Sequence, residues 1–280
     1  MTDLPLLGAA LYLQELSDLP GMTDFVRDAG RDIEIRDFTG IGALSGNAWP
    51  DIADRARAAL RGHAGRIGIH GPFWGIAVDT PDLDVRRITQ DRLDAGLSAL
   101  IRVLDGRGGG HMVVHSPYTT WHGFNRWTNQ CDAAGILERT LATLGPAVRK
   151  AEENGIEIVL ENCEDRDPAE RVALAAAFGS PALRVSVDTG HAHYAHGSTG
   201  APPVDAFIRA AGPALAHVHL QDADGVADRH WRIGQGNILW PGVFAAIAGL
   251  PVRPRLILEM ADARDVIPSA RWLEGQGLAA

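Results

Sequence analysis

Six apolar runs of this 280-residue chain carry, near their C-terminal ends, a side chain that can bind a metal: His70, His115, Glu161, Asp188, His219 and Glu259. Asp188-Thr-Gly-His191 adds an imidazole three residues further on, and Asp228-Arg-His230 adds a carboxylate and another imidazole after the seventh run. A lone histidine in an apolar strand is more often a hydrogen-bonded core residue than a ligand, and a lone glutamate often pairs with arginine. Together these nine groups would be costly to bury without a cation or tight pairing. Imidazole with carboxylate suits zinc or manganese, with iron also admitted. The two cysteines, Cys131 and Cys163, fit no CxxC spacing, so a structural thiolate zinc knot is not expected.

The elements that must position these groups follow from the pattern. The runs 6–13, 32–38, 66–72, 111–116, 157–163, 183–189, 215–221 and 255–260 have the length and β-branched content of strands. Helical patterns lie between most of them, most clearly over 84–105, 132–154 and 168–178, the second stopping at Asn154-Gly155. Eight strands alternating with helices predict an α/β fold, a single (β/α)8 TIM barrel over 1–280. An open doubly wound sheet is the alternative, and no GxGxxG follows the first run to support a dinucleotide-binding version. Parity agrees with the barrel. Ile67/Ile69, Met112/Val114, Ile158/Leu160, Val185/Val187, Val218/Leu220 and Leu256/Leu258 share one face of their strands, and the metal-capable residues share the other. Active sites of such barrels form at the C-terminal strand ends.

Composition narrows the class. Lys and Arg number 26 against 35 Asp and Glu, a net charge of −9, which disfavours a broad nucleic-acid-binding surface. The N-terminal stretch lacks a basic segment of signal-peptide type, no run approaches the roughly 18 apolar residues of a membrane span, and the cysteine usage suggests a reduced, cytoplasmic setting.

The motifs HGPF (70–73), VVHSP (113–117), LEN (160–162), VDTGHAH (187–193), HLQD (219–222), DRHWRIGQGNI (228–238) and LILEM (256–260) span about 190 residues. Their order and spacing resemble the endonuclease IV/xylose isomerase-like TIM-barrel superfamily, which includes apurinic-site endonucleases of family 2 and sugar or sugar-phosphate isomerases and epimerases. By resemblance to the endonucleases, His70, His115 and Glu161 would hold one metal. Glu161 would bridge to a second, held by Asp188, His219 and Glu259, and His191, Asp228 and His230 would hold a third. The isomerases resemble only the central set, Glu161, Asp188, His219 and Glu259, with one metal. The chain departs from the endonuclease pattern in Gly71-Pro72-Phe73 where Ser-Tyr is usual, DTGH for DTCH, and HLQD for HLND. The segment from His219 to Asp228 is also shorter.

The resemblance implies one to three divalent ions per chain and two chemistries. Ligand count favours a multinuclear hydrolase of a phosphate ester, with a small sugar-phosphate-like substrate preferred over abasic-site DNA because the departures fall in loops that would face nucleic acid. The alternative is a sugar or sugar-phosphate isomerase or epimerase that moves a proton between Glu161 and Glu259. A non-catalytic binder is disfavoured by the complete acid/base set. Phe73, Trp74, Trp121 and Trp231, with Phe124 and Trp127, could stack on a sugar face, and Arg36 and Arg232 could clamp a phosphate. Arg126 reads as a salt-bridged residue. His63 and His122 read as surface or loop, His193 and His196 as solvated or supporting, and His217 as a hydrogen-bonded interior residue one layer below His219.

Overall fold

The computed structural model describes residues 4–27, 30–45, 48–128 and 131–280. Eight parallel strands close on themselves in sequence order: β1 (Leu7–Leu11), β2 (Ile33–Ile35), β3 (Ile67–His70), β4 (His111–His115), β5 (Glu157–Glu161), β6 (Leu183–Asp188), β7 (Leu215–Leu220) and β8 (Arg255–Leu258). The predicted helices appear as Leu83–Leu104, Ala133–Glu153 and Pro168–Ala177, each started by an aspartate that accepts backbone N–H groups: Asp82, Asp132 and Asp167. Asn154 caps the second, and Gly155 follows at φ 63°. No helix among the described residues is long and apolar enough to cross a membrane.

Strand parity sorts the side chains into two cores. Ile33, Ile35, Ile67, Ile69, Met112, Val114, Ile158, Leu160, Val185, Val187, Val218, Leu220, Leu256 and Leu258 join the apolar layer under the helices. Burial of each such side chain contributes about 1.5–3 kcal/mol before chain entropy is counted. The opposite parity turns polar groups into the barrel axis, among Val113, Val159 and Ile257. At the N-terminal end Arg255 reaches Glu157 at 2.6 Å and the Gly109 carbonyl at 3.0 Å.

Above that plug sits Glu34 of β2, fully buried. Its Oε2 accepts from His111 Nε2 at 2.9 Å and its Oε1 from His219 Nε2 at 3.0 Å. His217 Nε2 lies 3.2 Å from Oε2, out of line for a full hydrogen bond, while its Nδ1 meets Ser186 Oγ at 2.8 Å. This is the interior role expected for His217. The barrel must leave room for three imidazoles at this level. A Cβ at Gly68, which pairs with His111, would fall 2.0 Å from the His111 ring. Burial opposes the Glu34 charge, but His219 and the N–H donors hold its carboxyl well below the usual range. The cluster is therefore an anion caged by imidazoles.

His111 stays neutral in this cage. Burial pushes its pKa down to about 3, and the Glu34 hydrogen bond opposes that without overcoming it. The unfolded chain takes up a proton near pH 6.5 that the fold refuses, so this part of the stability is intact above that pH and drains away as the pH falls toward 3. Unfolding free energy of the native chain should therefore fall more steeply with acid than that of His111→Gln, by up to about 1.4 kcal/mol per pH unit. Parallel pH curves from urea titrations of the two proteins would refute the neutral assignment.

Candidate active site

The rim at the C-terminal strand ends is built on histidines whose orientation is fixed from behind. Backbone carbonyls and carboxylates only accept, so a ring nitrogen against one must carry the proton. His70 Nδ1 donates to the Gly71 carbonyl at 3.0 Å, His191 Nδ1 to that of Asn162 at 2.9 Å, and His230 Nδ1 to that of Glu259 at 3.2 Å. His219 Nε2 donates to Glu34. Each ring then turns its other nitrogen toward the rim. Such outer partners orient the histidine ligands of metal sites.

Those nitrogens face carboxylates. His115 Nε2 is 3.3 Å and His70 Nε2 4.0 Å from Glu161 Oε2. His219 Nδ1 contacts Glu161 Oε1 and stands 3.3 Å from Glu259 Oε2. His191 Nε2 and His230 Nε2 meet the two oxygens of Asp228 at 3.3 and 3.1 Å. All nine sequence-predicted ligands thus come together, in three groups whose donor atoms lie within 4.8 Å of one another: His70/His115/Glu161, Glu161/Asp188/His219/Glu259, and His191/Asp228/His230. The first and second share Glu161, as the resemblance implies.

The donor set fits divalent cations. Glu161, Asp188 and Glu259 are buried carboxylates converging with His219 on one point, a set of oxygen and nitrogen donors of the kind that holds a divalent cation. Glu161 Oε2 makes no in-line hydrogen bond among the described residues. The titration behaviour reports the same crowding. Burial disfavours charge on His219, yet Glu259, Glu34 and Glu161 hold its pKa well above the usual value. Burial raises the Asp188 carboxyl, His191 opposes, and the Glu161 charge adds to the rise. Burial works against His230 too, but Asp228 and Glu259 lift it to about 9.

The loop after β7 is positioned by two buried side chains. Asp222 accepts from the Gly234 N–H at 2.8 Å, the Ala223 N–H at 3.0 Å and Trp240 Nε1 at 3.1 Å, which ties down both ends of the loop. Gln221 spans the second and third ligand groups. Its Nε2 donates to Asp188 at 3.2 Å and to Asp228 at 3.1 Å, and its Oε1 accepts from the His230 N–H at 2.7 Å. That bond holds His230 at φ 49°, a left-handed conformation unusual for a non-glycine residue. Asp188 starts the helix Thr189–Thr199 by accepting from the His191 N–H at 2.7 Å, which couples two ligand candidates through one cap. The Gly190 and Gln221 departures are one feature. A Cβ at Gly190 would fall 2.2 Å from Gln221 Cδ.

The predicted substrate contacts divide. Phe73 packs its ring 5.2 Å from His70 and 5.0 Å from His115, so it walls the first group. Arg36 lies over Tyr12 with its Nε 3.9 Å from Glu259 Oε1, at the edge of the second. Trp74 and Trp121 are largely exposed, as are Phe124 and Trp127. Trp231 lies under Arg229 in a strand-like bridge with Asp222, and Arg232 next to it is half-buried. Arg126 pairs with Glu170. His122 donates to the Pro117 carbonyl, His193 meets Asn237 Oδ1, and His196 meets the Ala201 carbonyl. His63 lies in a loop, one of the two alternatives expected of it, but is buried rather than at the surface, because that loop folds onto the barrel's N-terminal end, where a Cβ at Gly65 would sit 2.2 Å from the Arg31 carbonyl.

Three contributors escape the sequence reading. Glu34 sits in a run that reads only as a strand, although its parity opposite Ile33 and Ile35 already points it inward. Gln221 reads as a departure from a motif, without a role. Cys163, two residues past Glu161, lies against the rim; burial raises its thiol and His115 then His191 lower it, with a net fall.

Residues 25–277 match the family model of the xylose isomerase-like TIM barrel. An uncharacterized protein of Methanocaldococcus jannaschii is 26% identical over 216 residues, which is 74% of this chain and 69% of that protein. A D-tagatose 3-epimerase-like protein of known structure superposes with a TM-score of 0.74 at 23% identity, covering 98% of both chains. A Thermus thermophilus protein whose crystals were soaked with ZnCl2 gives 0.67 at 23% identity over 96% of both. D-psicose 3-epimerase in the presence of D-fructose gives 0.65 at 18% identity over 98% of this chain and 100% of its own. At these identities the structural likeness establishes the fold.

The Gly190–Gln221 contact makes a direct prediction. Gly190→Ala should destabilise the chain by about 1–3 kcal/mol, the usual cost of overpacking. Gln221→Asn, which shortens the obstructing side chain, should reduce that cost when combined with it. A double-mutant cycle from denaturant melts should give a coupling of about 0.5–3 kcal/mol. Simple additivity of the two substitutions would show that they do not share space.

Proposed function

The chain belongs to the xylose isomerase-like TIM-barrel family, and from that premise we propose that it is a divalent-metal-dependent isomerase or epimerase of a small keto sugar or its phosphate. The observation that carries this reading is the convergence of Glu161, Asp188, His219 and Glu259, from four successive strand ends, on one buried point. The sugar-epimerase names of the structural neighbours point the same way.

In this reading those four residues would hold the ion. A bound divalent cation acts as a Lewis acid on a carbonyl and its neighbouring hydroxyl, which makes the adjoining C–H more acidic. The protein supplies the proton transfers. Burial raises both glutamates, but His219 and His115 lower Glu161, and His219 and His230 lower Glu259, so both are carboxylates able to accept a proton. One takes the proton from the carbon beside the carbonyl. For epimerisation the other, a carboxylate at the outset, first takes up a proton from solvent and delivers it to the opposite face, while the first returns its proton to solvent; for isomerisation the proton taken by the first is returned to the neighbouring carbon. Arg36, beside Glu259, orients a hydroxyl or phosphate, and Phe73 presents an apolar wall to the sugar.

One observation favours a second reading, hydrolysis of a phosphate ester. The His70/His115/Glu161 and His191/Asp228/His230 groups surround the central set and could carry further ions, and clustered ions can clamp a phosphoryl group and activate water.

Heavy-water exchange separates the two. Incubated with a panel of ketoses and ketose phosphates, the enzyme should introduce deuterium beside the carbonyl of its substrate, and Glu259→Gln should slow exchange by roughly 10²–10⁴-fold. His115→Ala should keep one tightly bound ion by plasma mass spectrometry and retain exchange. Release of phosphate from esters without exchange, together with loss of both an ion and turnover in His115→Ala, would instead establish the hydrolase.

A further inference from the structure

Cys163 follows β5 and lies outside the nine-residue set. Its Sγ, a Glu161 oxygen and a His191 nitrogen are all within 4.8 Å of one another. Two observations set this apart from a thiol that merely fills space. Glu161 Oε2, on a side chain only 1% exposed, makes no in-line hydrogen bond among the described residues, His115 Nε2 standing 3.3 Å away. A buried carboxylate oxygen in that state needs a cation or a donor. The thiol is also reachable, because Cys163 lines a cavity of about 260 Å³ with Phe73, His115, Ser116 and Tyr118.

We propose that Cys163, with Glu161 and His191, forms a sulfur-bearing cation position on the rim, for a thiophilic divalent ion of the zinc or cobalt class. This rests on the metal-dependent reading above and adds to it a second cation position and the class of ion held there. Nitrogen and oxygen donors also admit manganese and iron, whereas a thiolate shifts the preference further toward zinc and cobalt and away from magnesium and manganese. Binding replaces the S–H bond with an S–metal bond, the proton passes to solvent, and nothing is oxidised or reduced. Zinc–sulfur bonds of about 2.3 Å and zinc–nitrogen bonds of about 2.0 Å place tetrahedral donors about 3.5 Å apart. The donor atoms of the three groups, all within 4.8 Å of one another, lie in the range from which such a site can close.

Cobalt titration of the chelator-stripped protein tests this without reference to turnover. Co(II) should produce both visible ligand-field bands and a near-ultraviolet sulfur-to-cobalt charge-transfer band. Cys163→Ser should lose the charge-transfer band and keep the ligand-field bands, and Cys131→Ser should keep both. Should Cys163→Ser fail to fold, X-ray absorption of the native zinc-loaded chain gives the same answer, as a sulfur scatterer at about 2.3 Å or none. Ligand-field bands without charge transfer, or zinc surrounded by nitrogen and oxygen alone, would overturn the thiolate position and leave the metal-dependent reading standing. Failure to retain any cobalt or zinc would overturn both.

Discussion

A single carboxylate on the barrel axis governs how the rest of the polar interior is arranged. Glu34 is fully buried and survives as an anion because imidazoles from β4 and β7 turn toward it. Taking Glu34 away would leave the buried Nε2 atoms of His111 and His219 without their acceptor, and His219 forms the floor of the rim. Its Nε2 is committed to Glu34, so its Nδ1 must face Glu161 and Glu259. The reverse dependence also holds, since Glu34 could not stay charged at that depth without the donors. The small interior residues of neighbouring strands follow from the same constraint. Gly68 gives up its side chain to the His111 ring.

The rim repeats this logic with backbone carbonyls as the fixed acceptors. His70, His191 and His230 each have one nitrogen tied to a main-chain oxygen. Rotation of any of them would strand a buried N–H. The variable part is the loop after β7, where regular secondary structure cannot help. There the ordering comes from Asp222 inside the loop and from Gln221 across it. Gln221 can reach both aspartates only because residue 190 has no side chain. Two substitutions that look like independent drift from a motif are therefore one steric exchange.

Which features can be read from the chain follows from the range of the interactions. Strand parity is a local property, so the alternation Val185-Ser186-Val187-Asp188 or Val218-His219-Leu220 suffices to place ligands on one face, and six such runs among eight strand-like segments favour a closed barrel over an open sheet. The caps Asp82, Asp132 and Asp167 are also local. Glu34 escapes because its significance depends on β4 and β7, which lie far along the sequence and reach it only across the closed barrel. Cys163 escapes because the two-residue spacing from Glu161 carries no meaning until the strand ends and the chain turns. The burial of His63 escapes because it depends on what its loop folds against. The long-range geometry, in each case, assigns a role to a residue whose neighbours in sequence are uninformative.

Exposure across the rim bears on how the nine groups divide their work. Glu161, Asp188 and His219 are sealed from solvent and Glu259 nearly so, whereas the His115 side chain is 30% and Asp228 48% exposed. Water screens the outer charges, and Asp228 already has two imidazoles and Gln221 to satisfy it. Its carboxyl accordingly sits far below the ordinary range although burial opposes this, through its bonds to His191 and His230. The central carboxylates have no such access, and one of them is pushed the other way, Asp188 being raised by burial and by its neighbour Glu161. Electrostatic demand for a cation is thus steepest at the central group and relaxes outward. In the proposed reading such a rim would hold an ion firmly in its middle, with the more exposed His115, His230 and Asp228 left to hydrogen-bond a polyhydroxyl substrate.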